Sequence, residues 1–343
     1  MTTPTPEPQQ DPSDAVEVFA PARLHLGFLD LNGDLGRRFG SLGLALDGIG
    51  TRLTLSRARE PGIEPPTAER AARLLAALGQ RCRSLGPLAL ALHETVPEHA
   101  GLGSGTQLGL ALAAALATLA GETVDARRLA MLVERGARSG IGIAAFASGG
   151  FLVDGGRGGS EAPAPIVARI EFPAEWRVIL IFDDGTRGLS GAAESAAFRD
   201  LPPFPAAASA ELCRLTLLRL LPGLAEADFA AVAESIGAIN ARVGDHFAPA
   251  QGGRYASPRV ARVLQLLAAA GIAGIGQSSW GPTGFALASS AEAARRLADD
   301  LARRFAGESA LSFRICAGRN RGAEIRRLPT VAASARPARR QAV

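Results

Sequence analysis

The sequence predicts an α+β protein made of two α+β halves with a cleft between them. Three observations lead there. Strand-type alternation and helix-type spacing are interleaved along both halves. A proline-bearing connection over 203–209 divides a strand-rich stretch from a helix-rich one. Each half also carries a glycine-rich turn between regular elements, PEHAGLGSGTQ at 97–107 and GQSSWGPTGF at 276–285. The halves are placed at 16–202 and 203–328. The flanking tails, 1–15 and 329–343, are polar or proline-bearing and are expected to be disordered.

The elements follow in order. VEVFAPARLHLGF (16–28) alternates as a strand, and the turn residues of DLNGDLGRRFG (30–40) lead into apolar SLGLAL (41–46). TRLTLSRA (51–58) is a second alternating strand, 66–80 has helical spacing, and LALALHETVP (88–97) is a strand stopped by proline. A helix is expected over about 105–120, and DARRLAMLVERG (125–136) is a helix with an Asp start and a Gly stop. SGIGIAAFASGGFLVDGG (139–156) is a small-residue run leading to a strand. WRVILIFDD (176–184) is apolar almost throughout and predicts a strand buried on both faces. Beyond the connection come helices over 210–221, 226–243 and 257–270, then a strand, turn and strand over 271–290. A helix near 291–306 and the strand LSFRICAG (311–318) close the fold.

Composition narrows the function. An apolar fraction of 47% in 343 residues supports a full core. No long uncharged apolar run is present, and the N-terminus lacks the apolar stretch of a signal peptide, so a cytoplasmic protein without a membrane partner is expected. Cys82, Cys213 and Cys316 are scattered and are read as reduced thiols. Every basic residue is an arginine. That excludes a Schiff-base lysine, a pyridoxal phosphate anchor and a phosphate-loop lysine. With 5% aromatics and no basic cluster in a folded region, nucleic-acid binding is not expected. A net charge of +4 carried by arginines suits small anionic ligands.

The loop at 101–106 runs straight into an alanine-leucine helix. Backbone N–H groups at a helix start attract anions, and the macrodipole adds to this. Gly101, Gly103 and Gly105 allow close approach, while Ser104 and Thr106 add hydroxyl donors. A tight packing turn is the other reading. The loop is not a Walker A sequence, which requires lysine, and its spacing does not fit a dinucleotide fingerprint.

The order of APARLHLGFLD, the Pro-x-x-x-Gly-Leu-Gly-Ser loop and GQSSWGPTGFAL resembles the GHMP kinase superfamily. Its phosphorylating members commonly have a lysine where this chain has Arg23. They often have an aspartate base in a segment similar to SGIGIAAFASGG, where this chain has Gly142 and no carboxylate between Ser139 and Gly150. A closer resemblance is carried by RLHLGFLDLNGDLGRRFGSLGLAL, RSGIGIAAFASGGFLVDGG, VGDHFAPAQGG and GIGQSSWGPTGFAL. Together these resemble the β-ribofuranosylaminobenzene 5'-phosphate synthases over roughly 17–325. That resemblance implies a GHMP fold that is not a kinase. It implies joining of 4-aminobenzoate to phosphoribosyl pyrophosphate (PRPP) with loss of CO2 and pyrophosphate, in tetrahydromethanopterin biosynthesis. It also implies Mg2+, no organic cofactor and a homodimer. An ATP-dependent small-molecule kinase and a non-catalytic phosphometabolite binder are the alternatives.

PRPP needs two anion sites and a divalent cation. The loop is expected to hold one phosphate group. Arg23, Arg37 and Arg38 are candidates for the other, or for the benzoate carboxylate, in bidentate fashion. Asp30 is the candidate carboxylate for oxocarbenium charge, against a plain turn role in DLNGD. The resemblance supports Asp30 and Arg37 as functional positions. His25 shares a strand face with Arg23 and is read equally as a site residue or a satisfied strand histidine. His99 and His246 read first as surface residues. Gln277, Ser278 and Ser279 are candidate donors to substrate, and Trp280 is expected either to stack on the benzoate ring or to sit in the core. Glu194 and Phe198 read equally as helix surface and core. VILIFDDGTRGLSG loosely resembles the PRPP loop of ordinary phosphoribosyltransferases, which would put Asp183 and Asp184 on ribose or Mg2+; a strand-ending turn is the alternative.

Overall fold

The computed structural model describes residues 14–63, 68–79, 85–160, 162–189 and 191–329. Both predicted tails, apart from their inner ends, and Cys82 lie outside these residues. The N-terminal half is built on a mixed sheet. β1 (Ala15–Phe28) pairs antiparallel with β2 (Ser41–Arg57). β2 is one 17-residue strand where two separate segments were predicted, because Gly48 at φ +74 lets the chain pass a local irregularity without ending the ladder. β3 (Gly62–Ile63), α1 (Ala68–Gly79) and β4 (Leu88–Glu94) follow. Next come α2 (Ser104–Leu119), α3 (Ala126–Leu132) and α4 (Ile141–Ala147), then β5 (Phe151–Asp154) and β6 (Ile166–Ile170). The sheet order is β3-β4-β2-β1 with β5 and β6 added along the first half of β2.

β7 (Arg177–Asp183) crosses over. It falls within 16–202 in sequence, yet it is a central strand of the second sheet. Then come α5 (Gly191–Asp200) and α6 (Ala206–Leu215), which begins inside the predicted connection and runs through a π turn, Thr216–Leu220, into α7 (Leu221–Ala225). α8 (Phe229–Gln251) outlasts its predicted end at 243 and passes through Pro249. α9 (Pro258–Ala269), β8 (Ile275–Gln277), β9 (Gly284–Ala288), α10 (Ala291–Arg304) and β10 (Leu311–Ala317) complete the half, with sheet order β10-β7-β9-β8. β11 (Glu324–Leu328), not foreseen, returns to pair with β1 and fastens the C-terminal end to the first sheet.

The core shows why these elements form. β7 is buried on both faces as its sequence predicts: Val178 and Leu180 enter the central cluster, Ile179 and Ile181 the outer one with α9 and α10. α2 is apolar on nearly every side and lies buried on β1 and β2. Its burial fixes the helix axis, and so fixes where the preceding glycine loop must point.

Candidate anion and aromatic site

The loop is glycine-rich for steric reasons that can be read atom by atom. Gly101 has φ +79, and a Cβ there would strike the Ser278 carbonyl and lie 2.9 Å from Gly281 Cα. Gly281 in turn has no room beside Ala100 and Gly101. The two glycine-rich turns are therefore pressed backbone to backbone, one from each half. Ser278 Oγ donates to the Gly101 carbonyl at 2.8 Å and accepts from His25 N–H at 3.0 Å, tying the loop to β1. Gly103, at φ +87, is the N-cap of α2 and supplies no capping side chain to the first-turn amides. The predicted loop residues Gly101, Gly103, Ser104, Gly105 and Thr106 thus stand at an open helix start of positive potential.

Arginines gather there. The Arg23 guanidinium donates to the Gly101 carbonyl and lies beneath Gly103. Burial lowers its pKa to about 10, with Glu194 acting the other way. A Cβ on Gly105 would strike Arg70 Nη2 and lie 3.5 Å from Arg135 Nη2. Arg70 pairs with Glu98 at 2.9 Å. Arg135 has a buried Nε without a partner, and its pKa is lowered first by burial and then by Arg70. Arg138 pairs with Glu194 at 2.8 Å. Four guanidinia and a helix start thus face two carboxylates. Arg70, Arg135 and Arg138 escaped sequence reasoning because Arg70 lies on α1 and the other two in the connection between α3 and α4; nothing in the spacing predicts that these segments meet.

An aromatic surface adjoins this pole. Phe39 and Phe198 are half-buried and meet edge to face at 5.4 Å, with Phe28 and Phe247 behind them. Arg138 lies over Phe198 at 5.3 Å and Arg38 over Phe39 at 5.1 Å. Phe39 holds φ +76, an unfavourable conformation for a bulky residue. His99, Glu134 and Ser279 also have positive φ and adjoin the loop, Arg135 or the late turn, while Ala227 lies in the turn before α8. Such strain is common at functional surfaces.

The other expected residues fall into place around it. Asp30 accepts at Oδ1 from Asn32 N, Gly33 N and Ser209 Oγ, so one carboxylate oxygen organises the turn. Arg37 donates to the carbonyls of Gly155 and Gly156, and Arg38 to that of Leu31. His246 stacks edge-on against Phe204 at 4.9 Å; burial and then Arg38 lower its pKa. Asp30, Arg38 and His246 thus share a second polar region beside α6 and α8. His25 is 2% exposed with neither ring nitrogen partnered, and burial, then Arg23, lowers its pKa to about 3. It is a neutral ring at the back of the site.

Gln277 is spent on Ala256 N–H, the Gln251 side chain and the Ser279 carbonyl. Gln277 and Ser278 position the late turn instead of presenting free donors. Trp280 is 1% exposed and stacked on Phe247 at 3.9 Å, so the core reading holds for it and Phe39 and Phe198 provide the accessible ring surface. Asp183 is desolvated, but bonds from Ser257, Thr186 and Gly185 and the charge of Arg259 hold its pKa below the usual value. It organises a turn, and Asp184 beside it is exposed. At the kinase-base position, Gly142 packs against Thr106, and its carbonyl accepts from Gln107 Nε2 at 2.9 Å. Asp154, buried nearby on β5, accepts from Ser41, Ser139, Gly140 and Gly156 and is consumed in holding α4.

Among the described residues no cluster of three His, Cys, Asp or Glu could hold a metal ion, and no helix is long and apolar enough to cross a membrane. An apolar cavity of about 570 Å³ between α8, α10 and β9 shares no residue with the loop.

Comparison with known proteins agrees with this architecture. The GHMP kinases N terminal domain matches residues 67–150, and the GHMP kinases C terminal domain matches 220–307. The homoserine kinase from Cytophaga hutchinsonii superposes with a TM-score of 0.60 at 18% identity, over 94% of this chain and 100% of that one. Mevalonate diphosphate decarboxylase from Staphylococcus aureus gives 0.62 at 15% identity, over 91% and 98%. These show the fold. Beta-ribofuranosylphenol 5'-phosphate synthase of Methanothermobacter thermautotrophicus is 32% identical over 287 residues, 77% of this chain and 86% of its own length. The protein of that name from Archaeoglobus fulgidus is 34% identical over 222 residues, 61% and 70% of the two chains. Carrying both GHMP domains and 32% identical to one such synthase over 77% of its length, the chain belongs to the beta-ribofuranosylphenol 5'-phosphate synthase family.

Proposed function

We propose that the protein condenses 4-aminobenzoate with PRPP, releasing CO2 and pyrophosphate, as a step toward tetrahydromethanopterin. One observation carries the reading: a pole with more cations than anions, made by Arg23, Arg70, Arg135, Arg138 and the α2 start against Glu98, Glu134 and Glu194, lies beside the Phe39–Phe198 surface. A polyanionic donor and an aromatic acceptor need that juxtaposition. The relatives' names speak of a phenol product. The amine is the stronger electron donor to a ring carbon, which favours attack on the sugar, so 4-aminobenzoate is the acceptor proposed here.

The residues suit a cation carried in by phosphate. Mg2+ is commonly held by one or two carboxylates and substrate phosphates, and Glu98, more exposed than Glu194, is the carboxylate of this pole that would hold it. When bound, it would neutralise part of the pyrophosphate charge. The chain's own part is to hold the phosphates by guanidinia and helix amides, and to seat the ring on Phe39 and Phe198. The aromatic neighbours also keep water from the sugar cation. Water attack there would waste the donor by hydrolysis.

The test is CO2 release from carboxyl-labelled 4-aminobenzoate, with 4-hydroxybenzoate in parallel, in Mg2+ and PRPP beside an ATP-consumption control. PRPP-dependent release without ATP is expected. No release from either acid, with ATP consumed on addition of an alcohol, would replace the synthase by a kinase.

A further inference from the structure

We propose that Glu194 is the carboxylate facing the anomeric carbon of the sugar donor. The inference rests on the synthase reading above. In that reaction the carbon under attack lies between the departing pyrophosphate and the acceptor ring. The protein answers these two groups with the loop at 101–106 and the Phe39–Phe198 surface. Glu194 is linked to both through arginines. On one side it feels Arg23, which reaches the loop through the Gly101 carbonyl. On the other its Oε2 meets Arg138 Nη1 at 2.8 Å, and the same guanidinium covers Phe198. Glu194 and Phe198 are four residues apart on α5 and so share a helix face. One short helix thus brings a charge and a ring to the same place.

The competing carboxylates are placed less well. Asp30 has Oδ1 bound in its own turn and to Ser209. The Glu98 side chain is 43% exposed, whereas that of Glu194 is 19% exposed. A carboxylate shielded from water acts more strongly on a developing cation.

The electron flow balances without an oxidant. The C1–O bond breaks and its electron pair leaves with pyrophosphate. Positive charge spreads over C1 and the ring oxygen, and the Glu194 carboxylate stabilises it without bonding. A π pair of the aromatic carbon bearing the carboxylate forms the C–C bond. The pair of the carbon–carboxylate bond then returns to the ring as CO2 departs.

The experiment compares wild type, Glu194→Gln, Glu194→Ala and Asp30→Asn in CO2 release at varied PRPP and 4-aminobenzoate. Ser195 Oγ at 2.6 Å and the Phe198 ring also hold Arg138, so the fold does not depend on Glu194 alone. Glu194→Gln should lower kcat by about 100- to 1000-fold with the PRPP KM within a few fold of wild type. Added formate should restore part of the Glu194→Ala rate, which a purely structural role would not allow. If Glu194→Gln melts early, formate rescue of Glu194→Ala decides. A Glu194→Gln enzyme within threefold of an active wild type, or one altered in KM alone, overturns the assignment and leaves the synthase intact. A wild type silent with both benzoates overturns the synthase reading and this inference with it.

Discussion

Replacing Arg135 should make the free protein slightly more stable and the enzyme markedly worse. Arg135 and Arg70 both bring Nη2 close to one point, the position a Cβ on Gly105 would take, so the two nitrogens are less than about 6 Å apart. Two unit charges at that separation repel by about 0.7 kcal/mol in water and about 2.8 kcal/mol at an effective dielectric constant near 20. Glu98 beside Arg70 and Glu134 beside Arg135 offset part of this, and the Arg70 side chain is 29% exposed, so the lower part of the range applies. Arg135 also buries an unpartnered Nε. Arg135→Gln should therefore gain about 0.5–1 kcal/mol, a rise of about 1–3 °C in Tm. Loss of one charge-assisted contact to phosphate costs about 1.5–3 kcal/mol, which is about 10- to 150-fold in the PRPP KM. Thermal melts with and without pyrophosphate, joined to initial rates, measure both effects. Pyrophosphate should stabilise the wild type and barely move the variant. A variant that melts lower and keeps its KM would make Arg135 a structural prop and refute the anion-pole argument.

Gly101→Ala should lose about 2–4 kcal/mol, because it forces an alanine to φ +79 and drives Cβ into the Ser278 carbonyl; a urea midpoint at the wild-type value would refute the backbone-to-backbone packing. Asp154→Ala should lose at least about 3 kcal/mol by orphaning buried donors of Ser41, Ser139, Gly140 and Gly156, with Asp154→Asn milder, again read from urea midpoints. His25 has its pKa lowered to about 3, first by burial and then by Arg23, so the unfolded chain takes up its proton first on acidification. Stability conferred by the neutral ring is therefore present above about pH 6.5 and is lost as pH falls toward 3, at most about 1.4 kcal/mol per pH unit. His25→Leu should flatten that part of the Tm–pH curve, and parallel curves would count against it. Burial raises the Glu194 pKa above the usual 4.5 despite Arg138 and Arg23, so kcat should fall as pH drops through that raised value. The limb should vanish in the residual activity of Glu194→Gln.

Local signals read well from the chain alone. The double burial of β7 and the glycine loop before α2 are set by neighbours in sequence and appear in the structure as expected, and β1 forms as a strand, though its burial alternates only at the start and is then nearly continuous. The crossover of β7 into the second sheet and the return of β11 to β1 were not legible, since pairing partners of a strand are fixed by tertiary packing. The same division runs through the candidate site. The loop was singled out because it is a compact motif, and the structure brings Arg23 beneath it. Arg70, Arg135 and Arg138 were not singled out, because only the packing of α1 against the connection between α3 and α4 brings them together. Trp280 was ambiguous for a related reason: a large ring in a glycine-rich turn has the same sequence signature whether it faces ligand or core, and Phe247 on α8 decides it.

On the proposed reading, the placement of charge lets one fold serve a different reaction. A kinase of this architecture has a base at the acceptor hydroxyl, and phosphoryl transfer otherwise relies on positioning and charge neutralisation. The kinase resemblance puts Gly142 at that position, and here Gly142 packs against Thr106. Positive charge at the loop is supplied by arginines. Ring surface lies beside it: Phe39 is held at φ +76 and Phe198 lies under Arg138. A hydroxyl acceptor has no use for two half-buried rings, whereas an aromatic acceptor gains from both, and strain at Phe39 would persist only where the surrounding packing and the ligand make it worthwhile. Phe39→Gly relieves the backbone while deleting the ring. It should therefore raise the benzoate KM with little effect on the PRPP KM and no loss of Tm, and a variant that weakens both substrates equally would place the ring's role in the fold instead of in acceptor binding.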